Sequence, residues 1–149
     1  MSCVPFDDSC LSGKRGLNSG LLSRLPTTRF REQLDVAALL ATEGNIVNVA
    51  STTGAVSAVA GDTAYAAAKA GMVGFTRAIA LEAAPYGVTV NAIAPGWIAT
   101  GSQTEREAAA GLRTPLRRSG SPDEIAATIA FLASPAASYI VGQMIVADG

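Results

Sequence analysis

Gly44-Asn45-Ile46-Val47-Asn48-Val49-Ala50-Ser51, followed across a loop of small residues by Tyr65-Ala66-Ala67-Ala68-Lys69, is the stretch on which the fold turns. Ile46 to Ala50 is short and β-branched, the pattern of a parallel strand covered on both faces. Residues 51–62 are a small-residue loop at its carboxyl end. Residues 63–84 read as an Ala-rich helix, free of proline until Pro85 and Gly87 mark its end. Residues 88–94 are a second buried strand. Strand, helix and strand make a βαβ unit, whose crossover is right-handed, and ligands bind at the carboxyl edge of such sheets.

Working outward, Leu34, Ala37, Ala38, Leu39 and Ala41 suit the last turns of a helix over residues 32–42, stopped by Gly44. Residues 1–32 carry no apolar periodicity. From Ser9 to Arg31 stand five basic residues (Lys14, Arg15, Arg24, Arg29 and Arg31) and no acidic one. Such a segment is either an organelle transit sequence or a disordered tail, and Asp7 and Asp8 favour the tail. On the other side, Pro95-Gly96 turns the chain out of the sheet and residues 103–112 form a short charged helix. Ser121-Pro122-Asp123-Glu124 is a capping box that opens a helix running to about Ala133, with Ile125, Ile129 and Leu132 facing the sheet. Residues 143–147 supply a third strand. The expected class is α/β, a partial Rossmann-like, doubly wound parallel sheet.

Composition narrows the chemistry. The chain has 149 residues, 49% of them hydrophobic, enough for one domain with a core. No apolar run approaches the ~18–20 residues that cross a bilayer, so no membrane partner is expected. A formal net charge of -1 offers no electrostatic reason to bind nucleic acid. Histidine is absent, which removes His-based triads and the commonest metal ligand, and no metal site is expected. Cys3 and Cys10 are the only cysteines and read as free thiols in a reducing cytoplasm.

Tyr65 and Lys69 are i and i+4 on the helix and therefore share one face. A phenol ordinarily titrates near pH 10, and an ammonium within a few Å favours its ionised form. A serine hydroxyl at the strand end can hold a substrate oxygen beside it. With two lysines and three tyrosines in the chain, one such spacing by chance has a probability of roughly 4%. The group suits reversible protonation of a carbonyl oxygen while a hydride reaches its carbon.

On these residues the sequence resembles the short-chain dehydrogenase/reductase family, in the compact subgroup that includes 3-oxoacyl-(acyl-carrier-protein) reductases. The likeness runs from about Leu39 to Gly149 and adds Asn91-Ala92-Ile93-Ala94-Pro95-Gly96-Trp97-Ile98-Ala99-Thr100, Tyr139-Ile140-Val141-Gly142-Gln143 and Val146-Ala147-Asp148-Gly149. It implies Tyr65 as general acid, Ser51 as the residue orienting the carbonyl, and Lys69 as the tuner of the phenol and a ligand of the nicotinamide ribose. Pro95, Gly96, Ile98 and Thr100 would position the nicotinamide of NAD or NADP. Asn91, Gly71 and Gly74 are read instead as fold residues, for strand-end hydrogen bonding and close helix packing.

The resemblance also implies what should be missing. The family's opening strand, its Thr-Gly-x-x-x-Gly-x-Gly turn, its Asn-Asn-Ala-Gly segment and its helix asparagine have no counterpart, and Gly13, Gly16 and Gly20 lack the spacing. The expectation is residues 33–149 as the C-terminal catalytic half of the domain, holding its last three strands, with the N-terminal nucleotide-binding half missing. Such a truncated oxidoreductase would be inactive alone, act on a small carbonyl or alcohol when complete, and form a homo-oligomer or join an intact relative. The alternative is a non-catalytic interaction protein pairing with intact subunits. A sugar-nucleotide epimerase, which shares Tyr-x-x-x-Lys, is disfavoured because no substrate-binding extension follows the sheet.

Overall fold

The structure, a computed structural model, describes residues 44–149. The expected helix over 32–42, the unpatterned segment 1–32 and the boundary at residue 33 lie outside the described residues. Three parallel strands, β1 (Asn45–Val49), β2 (Thr89–Pro95) and β3 (Met144–Ala147), form one sheet in that order. The helical elements are a short turn α1 (Thr52–Ala55), the long α2 (Thr63–Ala83), α3 (Glu105–Gly111) and α4 (Pro122–Leu132). Two 3₁₀ turns, Ala84–Tyr86 and Pro135–Ala137, follow α2 and α4. The architecture is the expected α/β one.

β2 is the central strand. Thr89 to Ala94 are buried, while β1 pairs on one side only among the described residues and is half-buried with Val49 exposed. The core is small because α2 offers it chiefly alanines: Ala80 and Ala83 close onto Val88 and Val90, with Ile46, Ile79 and Val141 packed around them. From α4 only Leu132 is fully covered, Ile125 and Ile129 being half-buried.

Asn91 stitches β2 to the approach of β3. Fully buried, its side-chain amide donates to the Ile140 carbonyl at 2.7 Å, and its Oδ1 accepts from the Gln143 N–H at 3.0 Å. This is the strand-end bonding expected of it. Asn91→Ala strands two backbone groups at once, and the expected loss is about 2–3 kcal/mol, read as a lower urea midpoint. A change below about 0.5 kcal/mol would mean that neither bond contributes.

Both charged helices begin with a reciprocal cap. At α4, Ser121 Oγ accepts from the Glu124 N–H and Glu124 accepts from the Ser121 N–H. The α3 cap, Thr104 with Glu107, has the same form and was overlooked in the sequence. Arg118 then grips Glu124 through two hydrogen bonds of 2.7 and 2.6 Å. The guanidinium bonds first, and the Ser121 N–H second, hold the Glu124 carboxyl down to about 2 from an ordinary 4.5. A depressed carboxyl contributes stability above its unfolded value and loses it as pH falls through the folded one. The contribution should therefore fade between about pH 4.5 and pH 2. Glu124→Gln should flatten the pH dependence of unfolding in that window. Equal slopes for parent and variant would count against the pair.

Candidate active site

The loop expected after β1 is held together by its own hydrogen bonds. Ser51 caps a tight turn, its Oγ accepting from the Thr53 N–H at 3.2 Å, and the Val56 and Ser57 N–H groups both return to the Thr52 carbonyl. Among the described residues the Ser51 hydroxyl proton meets no acceptor, so it can donate outward. Gly54, at φ +93°, brings this turn against the backbone of Ala66 in the first turn of α2. Ser51 is thereby tied to the helix residue next to Tyr65.

Tyr65 is 48% exposed, with its ring beneath the Lys69 ammonium at 5.6 Å from Nζ to the ring centroid. Lys69 Nζ donates to the Val49 carbonyl at 2.8 Å. The partner follows from peptide geometry. Ala50 gives its N–H to the Ile93 carbonyl on β2, and in a trans peptide the carbonyl of the same group, that of Val49, points the opposite way. Lys69 therefore satisfies the outer side of β1 and, among the described residues, keeps two of its three N–H donors for other partners. Asn48 Nδ2 to Thr76 Oγ1, 2.9 Å, fixes the same helix to the same strand farther along.

Pro95 and Gly96 end β2 at the same edge. Gly96 donates to the Ala147 carbonyl at 3.0 Å, and a Cβ on it would come within 2.8 Å of Asp148, so packing alone calls for glycine there. Ile98 bridges Gly120: Ala99 donates to the Gly120 carbonyl and Gly120 to the Trp97 carbonyl. The Ile98 N–H has no partner among the described residues, and Thr100 Oγ1 sits 3.2 Å from Ser102 Oγ. The close packing expected at Gly71 and Gly74 is not found. A Cβ at either meets no heavy atom within 4 Å among the described residues, because both lie on the exposed face of α2.

Residues 30–149 match the family described as Enoyl-(Acyl carrier protein) reductase. The chain belongs to the short-chain dehydrogenase/reductase family. Among its relatives, the 3-oxoacyl-(acyl-carrier-protein) reductase FabG of Vibrio cholerae serotype O1 is 46% identical over 111 residues, covering 72% of this chain and 45% of the relative. The 3-oxoacyl-(acyl-carrier-protein) reductase of Synechocystis is 49% identical over 108 residues, 71% of this chain and 43% of the relative. The crystal structure of a 3-oxoacyl-(acyl-carrier protein) reductase from Brucella melitensis superposes with a TM-score of 0.69 at 32% identity, covering 83% of this chain and 47% of that one. The chain thus spans a little under half the length of the short-chain dehydrogenase/reductases that it matches. No helix among the described residues is long and apolar enough to cross a membrane.

Proposed function

We propose that this chain supplies the proton-transfer site of an NAD(P)H-dependent carbonyl reductase acting on 3-oxoacyl thioesters. The observation that carries the reading is the convergence at one sheet edge of Ser51, Tyr65 and Lys69, with Lys69 bound to the end of β1 and the Ser51 turn seated on α2. The relatives named for 3-oxoacyl-(acyl-carrier-protein) reduction support the substrate class.

Ser51 donates a hydrogen bond from its hydroxyl to the substrate carbonyl oxygen and keeps its proton, while its own Oγ accepts from the Thr53 N–H. Tyr65 passes its phenolic proton to the same oxygen as charge develops there, and Lys69 lays positive charge beside the phenol. The residues at this edge fit a nicotinamide riboside: the Ile98 N–H and the Thr100 hydroxyl suit a carboxamide, and the two remaining Lys69 N–H donors suit ribose hydroxyls. A bound dihydronicotinamide supplies the hydride that, with the Tyr65 proton, turns the ketone into an alcohol.

The test supplies the N-terminal half of the Vibrio cholerae relative, fused or in trans, and follows NADH and NADPH consumption with an acetoacetyl thioester. Turnover that depends on this chain supports the reading, and a folded assembly that binds cofactor without turnover sinks it. The second reading is a non-catalytic subunit that joins intact relatives. Phe75 and Leu81 on α2 and Tyr86 just beyond it favour it, apolar side chains left in solvent with Leu81 80% exposed. Mixed oligomers with the intact relative that add no turnover would decide for it.

A further inference from the structure

We propose that Gly54 is a positioning residue for Ser51, seating the serine's turn directly on the peptide backbone of Ala66, one residue from Tyr65. The inference rests on the reading of Ser51 and Tyr65 as one proton-transfer site. Two independent constraints meet at Gly54. Its φ of +93° with ψ of -42° is a conformation that L side chains rarely adopt. In addition, a Cβ built there would collide with the Ala66 carbonyl oxygen and lie 2.8 and 2.9 Å from the Ala66 carbonyl carbon and Cα. All three atoms belong to the backbone of a regular helix, so no side-chain rotation relieves the clash.

The turn is stiff enough to transmit that contact. Gly54 donates to the Ser57 carbonyl at 2.7 Å, Val56 and Ser57 donate to the Thr52 carbonyl at 2.8 and 2.9 Å, and Thr53 donates to Ser51 Oγ. Ser51 sits at one end of this ring of bonds and the bare Cα of Gly54 rests on α2 at the other. The distance from the serine hydroxyl to the face carrying Tyr65 is thus set by how closely residue 54 approaches Ala66. A methyl group at that point pushes the serine away from the phenol without touching either side chain.

Gly61 provides the control within the same loop. Its φ is +97°, so a side chain is strained there too, yet a Cβ on it meets nothing within 4 Å among the described residues. Gly61→Ala carries the conformational penalty without the collision, and Gly54→Ala carries both. The core of Val88, Val90, Ile93 and Leu132 is remote in sequence from either site, and the β2 amides report on it.

Backbone amide exchange on the 149-residue chain is the first measurement. In Gly54→Ala the Val56 and Ser57 amides should exchange faster by on the order of tenfold or more, with β2 amides as in the parent and Gly61→Ala leaving the turn unchanged. The second is steady-state kinetics in the assembly with the relative's N-terminal half. There Gly54→Ala should lower kcat ~30-fold or more while the KM for the nicotinamide cofactor stays within about twofold, because misplacement strikes the chemical step. Unchanged exchange at Val56 and Ser57 overturns the proposal. So does a general loss of β2 protection, which would make Gly54 a folding residue, and so does equal damage from Gly61→Ala. A loosened turn with an unchanged kcat, in an assembly that Tyr65→Phe inactivates, overturns the positioning role and leaves the catalytic reading standing. A Tyr65→Phe assembly that keeps its rate overturns the underlying reading instead, so the two failures are distinguishable.

Discussion

Tyr65→Phe is expected to abolish carbonyl reduction in the assembly of this chain with the N-terminal half of its Vibrio cholerae relative, while leaving the fold intact. The substitution deletes one hydroxyl and almost no volume. Tyr65 is 48% exposed, and its oxygen takes part in none of the hydrogen bonds among the described residues, so no buried partner is orphaned. The rate is another matter. A positioned general acid contributes typically ~10²–10⁴-fold, and the other two groups at this edge do not replace it: the Ser51 hydroxyl, a far weaker acid than a phenol, holds the substrate oxygen by a hydrogen bond without giving up its proton, and Lys69 is drawn to the Val49 carbonyl. The expected result is a fall in kcat of that order with unchanged urea unfolding. Activity within about a factor of three of the parent would remove Tyr65 from the mechanism.

The second large effect concerns the 149-residue polypeptide assayed by itself, which should show no measurable NAD(P)H-dependent reduction of an acetoacetyl thioester. The residues at this edge suit the nicotinamide and its ribose. In dinucleotide-binding α/β folds the pyrophosphate lies on a Gly-rich strand-to-helix turn, and the described residues contain no such turn. Holding hydride donor and acceptor in contact is worth ~7–11 kcal/mol of barrier, and a dinucleotide gripped at one end forfeits much of it. Adding the relative's N-terminal half should restore turnover in the same cuvette. Robust turnover by the polypeptide alone would show that residues 1–43 contribute more than their composition suggests.

The elements that position the site were legible because they rest on local signals. Pro85 and Gly87 closed α2, the Ser121 to Glu124 pattern opened α4, and the observed bounds differ from the expected ones by a residue or two. The overlooked cap at Thr104 and Glu107 carried the same Thr-x-x-Glu signal and could have been read from it. What was not legible lay between elements. Residues 51–62 read as a small-residue loop, which they form, without a sign of which glycine in it would meet another element, and Gly71 and Gly74 read as close-packing positions. In the fold, it is the loop glycine, Gly54, that meets the backbone of α2, while the two helix glycines meet nothing among the described residues.

The sequence by itself determined which segments are strand and helix, that Tyr65 and Lys69 share one face, and which chemistry that pairing suits, since periodicity, capping and i, i+4 spacing act within a few residues. Only the tertiary structure decided that Lys69 reaches the Val49 carbonyl twenty residues back, that Asn91 closes two backbone bonds about fifty residues ahead, and that Gly54 must be bare because Ala66 lies against it. Each of these joins groups far apart in the chain. The Lys69 and Gly54 meetings are fixed by the packing of α2 on the sheet and those of Asn91 by the pairing of β2 with β3, through hydrogen bonds that need a partner within about 3 Å or a contact that leaves no room for a methyl group, and neither condition is written in any short stretch of residues.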